Sequence, residues 1–276
     1  MPSVLIFSSY VAANRVGGFV QALALTTLGI EARLIPTVLF GRHPGLGAPG
    51  GGAVGPETFA GVIAGAEAQG ALAPDLILTG YFALPDQVAM AAEAIDRARD
   101  AKTPPIILVD PILGDEDSGL YVKPEVEAAV RDLLIPRADI LAPNLWELRR
   151  ITGLAADDAA SAAAAARTLG RPVLVSSIPC GADQIGALYV DGAAAWLAAH
   201  AKAVTAPKGA GDLLAALFAA GVIEALPPET ALLRAVGGVA DAIEAAVAGG
   251  LDDLPTAALA ERFKAPVSAV TLSALA

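Results

Sequence analysis

Short apolar runs rich in β-branched residues recur along most of the chain, and alanine- and leucine-rich stretches separate them. Each run has the length and composition of a strand buried on both faces of a sheet. We predict such strands at 4–7, 37–40, 76–79, 106–109, 140–142 and 173–175. Charged residues at helical spacing predict covering helices at 86–99, 124–134 and 157–169.

Strands that alternate with helices predict right-handed crossovers, a mainly parallel sheet and helices on both of its faces. One hairpin signal, Asp191-Gly192, separates the apolar runs 185–190 and 194–197. It predicts two antiparallel strands near an edge of the sheet. No second domain or internal repeat is evident, so we expect residues 1–276 to form one three-layer α/β domain.

Two segments are predicted to be loops near a ligand. Segment 41–56 contains seven glycines and three prolines around His43, too flexible for a regular element. It is either an active-site flap or a disordered surface loop. Segment 111–123 is polar and follows the predicted strand that leads to Asp110. Ligands bind at such strand ends in open α/β sheets.

Composition excludes two classes of protein. Hydrophobic residues make up 55% of the chain, but much of this is alanine, and Glu224 interrupts the longest apolar stretch, 213–226. No run reaches the roughly 18 apolar residues of a spanning helix. The net charge is −11, and lysines and arginines form no stripe, which excludes a protein that neutralises nucleic-acid phosphates. Backbone N–H groups and a metal can still hold one phosphorylated small molecule.

The expected compartment follows from the N-terminus and the cysteine content. The first residues show no basic region followed by a cleavage site, so no signal peptide is predicted. The single cysteine, Cys180, cannot form an internal disulfide, which agrees with a reducing compartment. We expect a cytoplasmic protein.

The sharpest local motif is Lys208-Gly209-Ala210-Gly211-Asp212, which an apolar helical stretch follows. Small residues before such a helix create an N-terminus whose free N–H groups can hold an anion. Asp212 either complements the helix dipole or acts as a base toward a substrate hydroxyl. The sequence lacks the further residues of a Walker A loop.

Two further motifs carry carboxylates. Asp110 and Asp115 flank a turn with proline and glycine, which is either a Mg²⁺ site or an ordinary acidic turn. Ala142 ends a predicted strand, and Asn144 and Glu147 begin the next helix, as a cap with a dipole-complementing glutamate does.

The order of these motifs along the chain resembles the ribokinase-like superfamily, and most closely its pyridoxal kinase branch. The turn at 110–115 with the following Gly119-Leu120-Tyr121-Val122, the segment 134–148, and Thr79-Gly80-Tyr81 carry the resemblance, which spans residues 4 to about 220. It implies a three-layer ribokinase-like fold and ATP-dependent phosphorylation of the 5′-hydroxymethyl group of pyridoxal, pyridoxine or pyridoxamine. It also implies a homodimer and leaves room for a monovalent cation such as K⁺.

The resemblance assigns roles to residues at the phosphate end of the site. Asp212 would remove the hydroxyl proton, and the amides of Gly209, Ala210 and Gly211 would stabilise the transferring group. Residues that would hold Mg²⁺ or the nucleotide are Asp110, Asp115, Ala142, Asn144, Glu147, Ser176, Ser177 and Lys208. For the two serines, hydrogen bonding at a strand end is an alternative interpretation.

At the acceptor end, the resemblance places Ser9 against the ring, with His43 and Tyr81 covering it from the flap and a strand end. The chain departs from the family pattern at Tyr10, where a histidine is familiar, and at Gly17-Gly18, where a glycine-asparagine pair is familiar. Two alternatives therefore stay open: a related kinase for a hydroxymethylpyrimidine or a sugar, and a catalytically silent pyridoxal phosphate-binding protein.

Overall fold

The computed structural model describes residues 1–275, which build a ten-stranded sheet covered by helices on both faces. The strands are β1 Ser3–Val11, β2 Glu31–Phe40, β3 Gly51–Ala53, β4 Leu76–Thr79, β5 Ile106–Val109, β6 Gly114–Asp115, β7 Gly119–Leu120, β8 Ile140–Leu141, β9 Val173–Pro179, β10 Gln184–Asp191, β11 Ala194–Ala201 and β12 Thr271–Ala274. The α-helices are α1 Gly17–Thr27, α2 Pro56–Ala68, α3 Pro85–Arg99, α4 Pro124–Ala129, α5 Leu145–Thr152, α6 Ala159–Arg167, α7 Ala210–Ile223, α8 Pro228–Gly249 and α9 Ala260–Lys264.

The large sheet has the order β12-β11-β10-β9-β8-β5-β4-β1-β2-β3. Its centre, from β9 to β2, is parallel, and the strands outside that centre pair antiparallel. The small hairpin β6-β7 stands apart from it. The predicted mixed α/β architecture, with its mainly parallel sheet and antiparallel hairpin, is confirmed.

Successive side chains of the central strands point to opposite faces of the sheet, so the protein has two hydrophobic cores, one on each face. In β1, Leu5 and Phe7 pack on one side with α2 and α3, and Val4 and Ile6 pack on the other with α1 and α7. All four side chains are fully buried, so both faces of β1 are covered here. This explains why these four positions form a continuous apolar run without polar residues at alternate positions. Across residues 1–275, no helix is long and apolar enough to cross a membrane.

One prediction about local structure was wrong. Segment 41–56 contains regular structure: a single 3₁₀ turn at Pro44–Leu46 and β3, which pairs with the outer edge of β2. Backbone pairing needs no side chains, so a glycine-rich segment can form a short edge strand. The extent of the helix predicted over 124–134 is confirmed: it is α-helical to Ala129 and continues as a π turn at Val130–Leu134.

Candidate active site

One cavity of about 620 Å³ lies at the carboxyl ends of the parallel strands, where open α/β sheets bind ligands. All the sequence-predicted site residues except Ala210 line it: Ser9, His43, Tyr81, Asp110, Asp115, Ala142, Asn144, Glu147, Ser176, Ser177, Lys208, Gly209, Gly211 and Asp212. Ala210 lines a smaller adjoining cavity of about 200 Å³. Residues scattered over two hundred positions of sequence therefore meet in one place.

The start of α7 forms one wall of the cavity. Gly209 caps this helix with a φ of 95°, in the left-handed region that favours glycine. A Cβ at Gly209 would lie 2.6 Å from the carbonyl oxygen of Arg15, so no side chain fits there. The first N–H groups of α7 have no partner within the helix and suit an anion. Lys208 adds a positive charge beside them.

Asp212 stands in the first turn of α7, and its two carboxylate oxygens differ. Oδ2 accepts a hydrogen bond of 2.9 Å from the backbone N–H of Gly17. Oδ1 is buried and has no hydrogen-bond partner in the described chain. Burial raises the pKa of Asp212 to about 6, against the opposing effect of the Gly17 hydrogen bond. One oxygen is thus anchored, and the other is left for a ligand.

Glu147 holds the acidic loop in place through its backbone. Its Oε1 accepts from the N–H groups of Leu113 at 2.7 Å and Gly114 at 3.3 Å, and its Oε2 accepts from that of Asn144 at 2.9 Å. The Asn144 side chain accepts in return from the Glu147 N–H, completing a capping box. Burial raises the pKa of Glu147 to about 7, although these hydrogen bonds lower it.

The three acidic motifs create a site that favours a cation. Burial raises the pKa of Asp110 well above its usual range, and the charges of Glu147 and Asp212 raise it further. Within residues 1–275, no group of three or more His, Cys, Asp or Glu side chains could enclose a metal ion. Mg²⁺ normally takes one or two carboxylates and completes its shell with phosphate oxygens and water. The residues present therefore fit Mg²⁺ bound together with a nucleotide.

The acceptor end of the cavity is built around Ser9, His43 and Tyr81. Ser9 is buried at the end of β1. The Nδ1 of His43 accepts from the N–H of Gly45 at 3.0 Å, so the neutral ring carries its proton on Nε2. Burial lowers the pKa of His43, and the positive charge of Lys208 lowers it further.

The backbone of Tyr81 is held on both sides. Its carbonyl oxygen accepts from the hydroxyl of Thr37 at 2.7 Å, and its N–H donates to Ser8 Oγ at 3.3 Å. These bonds tie the loop after β4 to β1 and β2. The half-buried phenol of Tyr81 therefore lines the cavity from a well-supported backbone.

In this cavity, sequence reasoning missed the side chains of Tyr121 and Ile112 and the unusual backbone conformation at Ile112 and Ser177. Tyr121 lines the cavity, and burial together with four nearby carboxylates keeps the pKa of its phenol above the usual range. Ile112 and Ser177 also line it, with φ angles of 40° and 63° that side-chain-bearing residues rarely adopt. Such strain is often found at binding sites. Of these features, only Tyr121 lies in a segment that carries the family resemblance, Gly119 to Val122.

The smaller cavity opens beside the phosphate end and shares Ser176, Ser177, Gly211 and Leu214 with the larger one. Its walls are mostly apolar, and His200 and Lys202 are the polar side chains there besides the serines. The Nδ1 of His200 lies 2.9 Å from the carbonyl oxygen of Ala201. A carbonyl only accepts, so Nδ1 carries the proton. Sequence alone suggested a surface or structural role for His200.

Comparison with known proteins decides which family has this fold and site. Residues 68–257 match the family model described as phosphomethylpyrimidine kinase. The pyridoxine/pyridoxal/pyridoxamine kinase of Bordetella avium is 35% identical over 237 residues, covering 83% of this chain and 80% of that protein. The pyridoxal kinase PdxY of Leifsonia xyli is 32% identical over 261 residues, covering 91% and 92%. The chain belongs to the pyridoxal kinase family.

A solved structure of a family member supports the assignment over the whole chain. The pyridoxal kinase of Leishmania donovani, in complex with ADP and pyridoxamine, superposes with a TM-score of 0.92 at 26% identity and covers 100% of both chains. The resemblance inferred from the three motifs and the ribokinase-like fold it implied are both confirmed. As a pyridoxal kinase family member, the chain is a phosphotransferase.

Proposed function

We propose that this protein transfers the γ-phosphoryl group of ATP to the 5′-hydroxymethyl group of a vitamin B6 vitamer. The observation that carries the proposal is the environment of Asp212. Its Oδ1 is buried without a partner, next to the anion-binding start of α7. Its Oδ2 is held by Gly17, which itself packs against Ser9 at the acceptor end. Asp212 therefore lies between the end of the cavity that would hold the phosphate donor and the end that would hold the hydroxyl acceptor, which is where a general base is needed.

The chemical step follows from that arrangement. The vitamer's 5′-oxygen attacks the γ-phosphorus, the bond from that phosphorus to the β–γ bridging oxygen breaks, and ADP leaves. Asp212 Oδ1 takes the hydroxyl proton. With a pKa of about 6, Asp212 is ionised at neutral pH and is a stronger base than an ordinary aspartate.

Charge on the transferring group is stabilised from several sides. The free N–H groups at Ala210 and Gly211 and the ammonium group of Lys208 would face the phosphate oxygens. Asp110, Asp115 and Glu147 would hold Mg²⁺ directly or through water, with Asn144, Ala142, Ser176 and Ser177 along the nucleotide. Mg²⁺ bound there supplies charge neutralisation for the phosphates. Glu147 has the additional task of holding the loop that carries the first two carboxylates.

The acceptor end suits a planar heteroaromatic ring. Tyr81 offers an aromatic face, and the neutral imidazole of His43 offers an Nε2–H donor. Ser9 supplies a hydroxyl in the same region. These groups recognise a flat ring with polar substituents better than they recognise a sugar.

A hydroxymethylpyrimidine is the second candidate acceptor, because the matching family model is described as phosphomethylpyrimidine kinase. That ring is also flat and carries a hydroxymethyl group, so the same base and anion site would serve it. The two kinase hypotheses differ only in the acceptor. The third alternative, a catalytically silent pyridoxal phosphate-binding protein, would not need the unpartnered buried carboxylate oxygen of Asp212.

The test is an acceptor panel. Purified protein is incubated with Mg-ATP and, separately, pyridoxal, pyridoxine, pyridoxamine, hydroxymethylpyrimidine or ribose, and ADP and the phosphorylated product are both quantified. We expect the highest kcat/KM with a B6 vitamer. Asp212→Asn is the inactive comparison, and Asp100→Asn, at an exposed aspartate after α3, is the matched control. Tight binding of pyridoxal phosphate without ADP formation from any acceptor would contradict the proposal.

Four further expectations accompany this function. We propose one domain over 1–276 with the flap at 41–56, since both cores share a single sheet; one cooperative unfolding transition would test it. A homodimer remains a prediction from the family resemblance, and a cytoplasmic location remains a prediction from the sequence. Sedimentation equilibrium and cell fractionation respectively measure them. Use of K⁺ is measured by replacing it with Na⁺ in the assay.

A further inference from the structure

One buried side chain joins the flap, defined as residues 41–56, to the far end of the chain. Asn14 lies in the connection between β1 and α1 and is 8% exposed. Its Oδ1 accepts a 2.8 Å hydrogen bond from the backbone N–H of His43. Its Nδ2 donates to Asp253 Oδ1 at 3.2 Å, and the same oxygen accepts from the N–H of Arg15 at 3.1 Å. Both ends of the Asn14 amide are therefore used.

The tip of the flap has little else to hold it. Between 42 and 50, the other hydrogen bonds in the described chain stay within the flap, such as those from Leu46 to the His43 carbonyl and from Arg42 Nε to the Ala48 carbonyl. The bond from His43 to Asn14 is thus the hydrogen bond that connects this tip to the body of the protein. Removing it would free the tip that carries the His43 ring.

The same short connection also supports the catalytic end of the cavity. The N–H of Gly17 holds Asp212 Oδ2, and the Arg15 carbonyl lies against Gly209 at the start of α7. Asn14 therefore fixes the flap relative to the backbone that orients the base and the anion site. Asp253 fixes Asn14 in turn.

We propose that Asn14 is a positioning residue, whose amide ties the flap to Asp253 and holds His43 over the acceptor. This inference rests on the proposed function, in which His43 faces the vitamer. The amide is required because one side-chain atom must accept from His43 while the other donates to Asp253. A carboxylate of the same shape meets only the first requirement.

The test exploits that asymmetry. In Asn14→Asp, a second carboxylate faces Asp253, so the bridge is lost and charges repel. We expect KM for pyridoxal to rise three- to tenfold, the size of one lost hydrogen bond, with KM for ATP within twofold of wild type. Hydrogen exchange of the peptide covering 42–47 should become at least threefold faster.

A second substitution separates positioning from general damage. In Asn14→Asp combined with Asp253→Asn, the donor and acceptor exchange places between positions 14 and 253, and the charge repulsion is removed. The NH₂ group that then donates cannot accept from the Arg15 N–H, so part of the rise in KM and part of the lost exchange protection should be recovered. Asp253→Asn alone keeps an oxygen that can accept from Asn14 and Arg15. Asp252→Asn, at the exposed neighbouring position, controls for the change in charge. Asn14→Ser, whose hydroxyl is too short to reach both partners, replaces Asn14→Asp if that variant folds poorly.

These outcomes decide whether Asn14 positions the flap or its substitution only damages the structure in general. The proposal is supported if Asn14→Asp raises KM for pyridoxal but not KM for ATP, if hydrogen exchange at 42–47 becomes faster, and if the double variant partly restores both quantities. Unchanged exchange in Asn14→Asp, equal losses for ATP and pyridoxal, or a double variant no better than the single one would overturn it. If the wild-type protein phosphorylates no B6 vitamer, the proposed function fails, while the exchange data still report whether Asn14 holds the flap.

Discussion

Asp212→Asn should make the protein more stable and far less active. The substitution keeps the shape of the side chain and an oxygen that accepts from the Gly17 N–H. It removes a negative charge that burial disfavours, since the pKa of Asp212 is raised from 3.8 to about 6. It also removes a charge that raises the pKa of Asp110. The carboxylate is thus held in the folded protein at a cost in stability.

The magnitude follows from linkage. A carboxyl whose folded pKa lies above its unfolded value binds protons more tightly when folded, so stability falls as pH rises from 3.8 to 6. At pH 8 this cost amounts to about 3 kcal/mol, and at pH 4 it shrinks to below about 1 kcal/mol. Activity should fall by a factor of about 10²–10⁴, the usual contribution of a general base.

Two measurements check the prediction. Urea unfolding at pH 8 and pH 4 gives the free energies of unfolding of the wild type, Asp212→Asn and the Asp100→Asn control. The expected result is a gain of about 2–3 kcal/mol for Asp212→Asn at pH 8 that nearly disappears at pH 4. Steady-state kinetics give kcat, and isothermal titration gives the ATP dissociation constant, which should stay within twofold. A variant that is less stable at pH 8, or that keeps near-wild-type kcat, would refute the reasoning.

Three further predictions concern the same cavity. In the pH profile of kcat/KM for pyridoxal, the rate should decline below pH about 6, because protonated Asp212 cannot accept the hydroxyl proton; a profile flat from pH 7 to 5 would speak against it. Glu147→Gln places an NH₂ donor against one of three backbone N–H donors, so hydrogen exchange at Leu113, Gly114 and Asn144 should become faster, and unchanged exchange would contradict that role. His43→Ala should raise KM for pyridoxal more than KM for ATP in steady-state assays; the reverse order would place the flap over the nucleotide.

Local patterns predicted most of the central sheet because its strands are buried on both faces. Runs such as 4–7 and 76–79 lie within β1 and β4, and Asp191-Gly192 marks the turn between β10 and β11. The strand β3 escaped prediction, since its residues, Gly51 to Ala53, pair through the backbone alone. A high glycine content predicts a loop, but it does not show that the edge of a neighbouring strand, here β2, is available for backbone pairing.

The site was predictable where its residues lie in motifs and was missed where folding alone brings them together. Asp110, Glu147 and Asp212 each follow or begin a regular element in a recognisable local pattern. Asn14 and Asp253 lie 239 positions apart, and no local pattern marks either one. The left-handed backbone of Ile112 was also beyond sequence reasoning, because a β-branched residue is the last type expected there.

The central claim is that Asp212 deprotonates the hydroxymethyl group of a B6 vitamer for attack on ATP. A single-turnover experiment with enzyme in excess over pyridoxal and saturating Mg-ATP tests it most directly, with the phosphorylated position read by ³¹P NMR. We expect one pyridoxal 5′-phosphate per ADP in the wild type, and the same product about 10²–10⁴ times more slowly in Asp212→Asn. ADP formed without a phosphate ester at the 5′-oxygen, or an unchanged rate in the variant, would contradict it.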